Sequence, residues 1–153
     1  MSAEATLKDL GIELPSPPAP VGSYVGAVQT GNLVYISGQG PRQPDGTVIS
    51  GKVGTGGMSV EEAQAAARLV GLNALATLRA EIGDLDRVKR VVKVFGMVNA
   101  SPDFTDHPKV INGYSDLMFE VFGAAGRHAR SAVGMGSLPF QIPVEVEMIV
   151  EVD

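Results

Sequence analysis

The residues best suited to chemistry lie near the end of the chain. Arg127-His128-Ala129-Arg130-Ser131-Ala132-Val133-Gly134-Met135-Gly136-Ser137-Leu138-Pro139 runs on to Val144-Glu145-Val146-Glu147-Met148-Ile149-Val150. An arginine stands at the head of one strand-like run and a glutamate at the head of the next, joined by a Pro-containing loop. A short connection of that kind lets the two strands lie side by side, with Arg130 and Glu145 approaching across the pair. A guanidinium is the side chain best shaped to hold a carboxylate through two parallel hydrogen bonds. A nearby carboxyl moves a proton or orients a water. The pattern points to a small-molecule site for a carboxylate-bearing substrate.

Other chemistries find little support. Cysteine is absent, which removes disulfides and thiolate nucleophiles. His107 and His128 have no metal-like spacing and read as solvent-facing or turn residues, so no metal site is expected. Gly38-Gln39-Gly40 is not a phosphate loop, because no Lys-Ser/Thr follows and no G-x-G-x-x-G opens a helix. Ser37 precedes it without an obvious base partner and reads as a hydrogen-bond donor, not a nucleophile. Glu145, Glu147 and Glu151 share one strand face by parity, opposite Val144, Val146, Met148, Val150 and Val152. Gly134 and Gly136 alternate within a strand-like run, which suits a ligand or neighbouring subunit approaching the backbone. Arg127, near a helix end, is expected to face solvent.

The elements that must position these residues follow from periodicity and punctuation. Ala3 to Leu10 is a short amphipathic piece, and the proline-rich Leu14–Pro20 cannot be a helix or central strand. Residues 1–22 are thus expected as an N-terminal extended arm, and 23–153 as a single domain. Thr30-Gly31-Asn32 between Tyr24–Gln29 and Leu33–Ser37 predicts a hairpin, with Val48-Ile49 a short third strand. Ser59-Val60-Glu61-Glu62 fits a capping box, and apolar residues from Ala63 to Leu78 recur at helical steps up to a stop at Gly83. Val88 to Val98 is the strongest strand by β-branched content. Asp106 is expected to cap a second helix with Pro108 in its first turn and Gly123–Gly126 at its end. Two strands close the chain. The order predicts an α+β, two-layer domain: a mixed sheet with two helices on one face. The other face would stay apolar, so a homo-oligomer is expected.

Bulk properties agree with one domain. The chain has 153 residues, 12 Lys and Arg against 17 Asp and Glu, and a net charge of −5. This mild acidity argues against non-specific binding to nucleic acid or to an anionic membrane. No apolar run approaches membrane-spanning length and the N-terminus lacks a signal-peptide core, so a cytoplasmic protein is the default expectation.

Four stretches carry a family likeness. They are Gly22-Ser23-Tyr24 with Gly31-Asn32-Leu33-Val34-Tyr35-Ile36-Ser37-Gly38-Gln39; Asn73 with Leu85-Asp86-Arg87-Val88; Asn112-Gly113-Tyr114; and Arg130-Ser131-Ala132-Val133 with Leu138-Pro139 and Val144-Glu145-Val146-Glu147. Together they resemble the reactive intermediate deaminase family, the RidA/YjgF group, also labelled "endoribonuclease L-PSP" or "translation initiation inhibitor". The likeness runs from about Gly22 to Val152, and its C-terminal part is the most specific. It implies a chorismate-mutase-like fold assembled as a homotrimer, with sites in clefts between subunits. It further implies cofactor-free hydrolysis of enamines and imines, such as 2-aminoacrylate, to 2-keto acids and ammonia. By the same resemblance, Arg130 falls on the arginine that holds the substrate carboxylate and Glu145 on the glutamate that serves the water or proton step. Tyr24, Ser37 and Asn112 fall on residues lining the cleft. The chain departs from the archetype at Ser23, where many members have Pro, and at Ala132, where many have Cys. The 99–108 segment and the N-terminal arm are also longer, which marks a longer subgroup.

Three other functions are weighed against hydrolysis. A non-catalytic protein binding small carboxylates would retain Arg130. A ribonuclease or translation inhibitor would need a basic stripe with interleaved aromatics, which is absent. A chorismate mutase is suggested by fold alone, and fold does not set function.

Overall fold

The computed structural model describes residues 2–153. Helix α1 (Ala3–Asp9) is followed by strands β1 (Ala27–Thr30) and β2 (Leu33–Gln39) and by helix α2 (Val60–Ile82). Then come β3 (Val88–Asn99), α3 (His107–Phe122), β4 (Ala129–Met135) and β5 (Val144–Val152). The strands form one five-stranded sheet in the order β1-β2-β5-β3-β4. β3 and β4 run parallel through the α3 crossover, and the other neighbours are antiparallel. The chain is therefore an α+β domain with a mixed sheet.

Local chemistry sets the helix ends. Ser59 Oγ accepts from the Glu62 N–H at 3.2 Å, and the Glu62 carboxylate accepts from the Ser59 N–H at 2.8 Å, which completes the expected capping box. Gly83, at φ 87°, ends α2. Asp106 begins α3, but its side chain makes no cap bond; it pairs instead with Lys109 at 3.3 Å. Pro108 occupies the first turn, where its missing N–H costs nothing.

α2 and α3 pack against each other and onto one face of the sheet. Small residues make the contact close: Gly113 lies on the Gln64 backbone, and Gly96 lies under the Ile111 side chain. Val70, Ala74, Leu75 and Leu78 of α2 join Ile111, Tyr114, Leu117 and Met118 of α3 over Val34, Val91, Val94, Val98 and the even residues of β5. Each large apolar side chain buried this way contributes about 1.5–3 kcal/mol. α1 docks on α3 through buried Ala3 and Leu7, and from Ile12 to Pro20 the chain has no regular element.

Three sequence expectations need correction. β4 and β5 are not neighbours, because β3 lies between them. The loop from Gly136 to Pro143 passes the end of β3, where the Asn99 N–H donates to the Pro143 carbonyl at 2.8 Å. That crossing sets Val91, Val94 and Val98 of β3 opposite Val150, Met148 and Val144, which places the two most apolar strands together at the centre. Val48-Ile49 is not a strand; one isolated bridge joins Arg42 to Val48. The hairpin's first strand starts at Ala27 and not at Tyr24, though the Ser37 N–H still reaches the Gly26 carbonyl at 2.9 Å.

Among the described residues no helix or strand covers the second face of the sheet. Val28, Tyr35 and Val133 are exposed there, beside half-buried Phe95, Met97 and Ile149. Among the described residues no helix is long and apolar enough to cross a membrane.

Candidate functional site

The residues singled out by sequence divide among three cavities: one beside Arg130 on the helix-covered side of the sheet, and two on the uncovered side, beside Glu145 and Ser37. Arg130 stands on β4 opposite Val94, on the helix-covered side. Its Nη1 donates to Asn112 Oδ1 at 2.9 Å and to Ser115 Oγ at 3.0 Å, and its Nη2 lies 3.4 Å from the Pro108 carbonyl oxygen. Asn112 and Ser115 are three apart on α3 and so share a helix face. Burial lowers the Arg130 pKa from its usual value, and nearby Asp116 offsets part of this. Among the described residues no carboxylate forms a salt bridge with Arg130. The guanidinium is thus oriented by neutral oxygens, with its charge uncommitted. The cavity beside it, about 380 Å³, is also lined by Asp116, Phe119, Arg127 and His128.

His128 is not the solvent or turn residue that spacing suggested. It is half-buried, with Nδ1 at 2.6 Å from the Gly126 carbonyl and Nε2 at 2.9 Å from Ser115 Oγ. Burial, followed by the Arg130 charge, holds its pKa below the ordinary histidine value, against the opposing Gly126 bond. No strand signal pointed to it, since His128 lies just ahead of β4, which begins at Ala129. Arg127 is exposed as expected, stacked 4.5 Å over the Phe119 ring.

Glu145 lies on the uncovered face, opposite Met97. Register slips between Ile36 and Gln39 of β2, and this irregularity brings Gly38 beside the Glu145 carboxylate. A Cβ on Gly38 would stand 3.1 Å from Glu145 Cδ and nearer still to Oε1, so the glycine makes room for the carboxylate. Burial raises the Glu145 pKa above the ordinary carboxylate value, and Glu147 raises it further. No side-chain partner anchors Glu145 among the described residues. Its cavity, about 150 Å³, is walled by Val21, Tyr24, Val48, Phe140 and Ile142, with Gln39 and Arg42 as polar neighbours. Phe140 and Gln141 hold positive φ (57° and 54°), a costly backbone for such residues that turns the Phe140 ring outward at this rim.

Tyr24 therefore meets Glu145, although it lies outside any strand, with its Oη accepting from the Val21 N–H at 3.2 Å. Ser37 does not join that cavity. It donates to the Val25 carbonyl at 2.6 Å and lines a separate depression on the uncovered face with Tyr35, Lys93 and Glu147. Gly134 is approached by the chain's own His107 ring, while a Cβ on Gly136 would meet nothing among the described residues and the Gly136 carbonyl accepts from Lys52 Nζ at 2.9 Å. Among the described residues no His, Cys, Asp and Glu cluster could hold a metal.

A mixed five-stranded sheet backed by two helices, with polar cavities on either side of the sheet, is an α+β domain of the chorismate-mutase-like kind. A family model described as "YjgF/chorismate_mutase-like, putative endoribonuclease" matches residues 4–152, and the chain belongs to the YjgF/RidA family. It is 47% identical over 150 residues to protein TCP17 of Trypanosoma cruzi, covering 97% of this chain and 93% of that one. It is 34% identical over 143 residues to a 2-iminobutanoate/2-iminopropanoate deaminase of Dermatophagoides farinae, covering 93% and 95%. A crystal structure of an Agrobacterium tumefaciens protein of unknown function superposes with a TM-score of 0.89 at 42% identity, covering 99% of this chain and 94% of that chain.

Proposed function

We propose that this chain hydrolyses 2-enamine and 2-imine carboxylates to 2-keto acids and ammonia, at sites shared between copies in a homotrimer. The observation that carries this reading is the Arg130 guanidinium, fixed by Asn112 and Ser115 and, among the described residues, in no salt bridge with a carboxylate, although Asp116 lines the same cavity. A carboxylate-bearing substrate would supply the missing partner through charge-assisted hydrogen bonds. The deaminase name of the mite relative supports the same reading.

In this mechanism Arg130 of one copy grips the substrate carboxylate. Glu145 of the adjacent copy takes a proton from a water that attacks the imine carbon. Glu145 returns that proton to the imine nitrogen to give the carbinolamine. It then carries the carbinolamine hydroxyl proton to the same nitrogen as the C–N bond breaks, releasing ammonia and the keto acid. An enamine substrate enters by first moving an N–H proton to its terminal carbon. Burial, and then Glu147, raise the Glu145 pKa, which makes its carboxylate a stronger base toward the water proton. Tyr24 shapes the Glu145 side of the site. Ser37 serves by fixing the backbone at Val25. Imine hydrolysis is already fast in water, so positioning plus modest acid–base help is enough. No cofactor takes part.

The test is ammonia and keto-acid release from enzymatically generated 2-aminoacrylate. Wild type should accelerate it and Arg130→Ala should not. Equal rates in both would overturn the proposal. If neither accelerates release but pyruvate still binds to wild type, the chain is a small-carboxylate binding protein.

A further inference from the structure

We infer that His128 and Ser115 are positioning residues for Arg130, forming a relay that fixes which guanidinium edge meets the substrate carboxylate. The inference rests on the proposed carboxylate site, adds His128 to it, and derives how Ser115 is held toward Arg130.

The geometry fixes the direction of every hydrogen bond. A carbonyl oxygen only accepts, so the 2.6 Å contact with Gly126 puts the proton of the neutral ring on Nδ1. Nε2 is then an acceptor, and the Ser115 hydroxyl proton points at it across 2.9 Å. With its proton committed there, Ser115 Oγ turns a lone pair to Arg130 Nη1 at 3.0 Å. Asn112 Oδ1 accepts from the same Nη1 at 2.9 Å. One guanidinium nitrogen is thereby held by two oxygens of α3. Nη2 has only the long contact to Pro108, and among the described residues Nε has no acceptor. Those are the nitrogens left for a carboxylate.

The surrounding charges favour the neutral ring. Arg130 on β4 acts on His128 with its positive charge, exposed Arg127 lines the same cavity, and Asp116 on α3 is the one anionic group lining it among the described residues. The lowered His128 pKa agrees with this. A neutral Nδ1–H imidazole accepts the Ser115 O–H and so leaves both lone pairs of its oxygen for Arg130, whereas an imidazolium would occupy one of them.

The test uses four variants of the full chain, each checked for wild-type thermal unfolding and oligomeric size. Ser115→Ala removes an acceptor from Arg130. His128→Asn keeps a donor for the Gly126 carbonyl but removes the acceptor for Ser115. Ser115→Thr keeps the hydroxyl. Arg130→Ala is the reference. The readouts are the dissociation constant for pyruvate, the keto acid that 2-aminoacrylate yields, and the rate of ammonia release at saturating substrate.

Ser115→Ala and His128→Asn should each weaken pyruvate binding roughly tenfold, the scale of one hydrogen bond to a charged group, with the saturated rate within about twofold of wild type. Ser115→Thr should restore most of the affinity. Nitrogen NMR of wild type should show the His128 proton on Nδ1. Unchanged affinity in both variants, while Arg130→Ala abolishes binding and turnover, would overturn the relay and leave the proposed site standing. A fall in the saturated rate with unchanged affinity would also overturn it. An Arg130→Ala variant with normal binding and turnover would instead overturn the carboxylate site itself.

Discussion

Arg130 and Glu145 occupy opposite faces of one sheet. Arg130 reaches α3 on the covered side, whereas Glu145 stands on the open face, separated by strand β3. Their register levels on β3 are Val94 and Met97, so the offset is roughly 10 Å across the sheet and roughly 10 Å along it. One chain cannot bring both groups to one small substrate, but two chains can. Arg130→Ala and Glu145→Gln should therefore each be inactive alone, and co-expressed they should regain roughly a quarter of the wild-type rate, from sites that draw an intact residue from each copy. Ammonia release from purified mixed oligomers measures this. Absence of any recovery would exclude a shared site.

Glu145 should also write a pH signature into stability. Its folded pKa lies above the unfolded value of about 4.5, so the folded chain holds this proton more tightly than the unfolded chain does. That contribution is complete below pH about 4.5 and is lost as pH rises through the raised folded value. Melting temperatures across this window should fall more in wild type than in Glu145→Gln. Parallel curves would show that Glu145 titrates normally. The same variant should slow turnover by roughly 10²–10⁴-fold as an acid–base group is removed.

Gly38→Ala probes the carboxylate without touching it chemically. Gly38 does not hold a positive φ, so alanine fits the backbone, but its Cβ claims the space of Glu145 Oε1. The carboxylate must swing aside, a cheap movement for a flexible side chain. Stability should change by less than about 1 kcal/mol in urea unfolding, while turnover falls. A large stability loss with normal turnover of the folded fraction would show that the backbone and not Glu145 had yielded.

Two adjacent residues of α3 should respond in opposite directions. Gly113→Ala drives a Cβ into the Gln64 backbone at the crossing with α2 and should destabilise by about 1–3 kcal/mol. Tyr114 is fully buried, burial pushes its pKa far up, and its hydroxyl meets no partner among the described residues. Tyr114→Phe removes an unsatisfied polar group at almost constant shape and should be neutral or stabilising by up to about 1 kcal/mol. Denaturant midpoints of the two variants decide both points.

Elements with local signals were legible in the sequence. The Ser59 box and Gly83 delimit α2, β-branched residues mark β3, and parity alone put Glu145 on the face opposite Val144 and Val146. Strand order was not legible, because a short loop before β5 suits a hairpin, and only burial of the β5 valines against β3 selects the crossing. Tyr24 and Ser37, so close to one hairpin, separate because the chain before Ala27 leaves the sheet. His128 was misread because its partner Ser115 belongs to another element, and spacing along one strand says nothing of the helix above it.

The turn Leu85–Arg87 fastens distant parts of the chain to one point. Ser2 Oγ donates to Asp86 across 84 residues, Glu4 accepts from the Leu85 N–H, and Arg87 holds Asp153 across 66 residues. Loops that long close late, because their entropy must be met before the contact forms. These ties are also among the more solvent-exposed of the fold, unlike the packing of α2 and α3. Opening should begin there: α1 amides should exchange with solvent deuterium well before those of α2 and β3. In that motion α1 acts as a latch, and its release leaves the walls of both polar cavities in place.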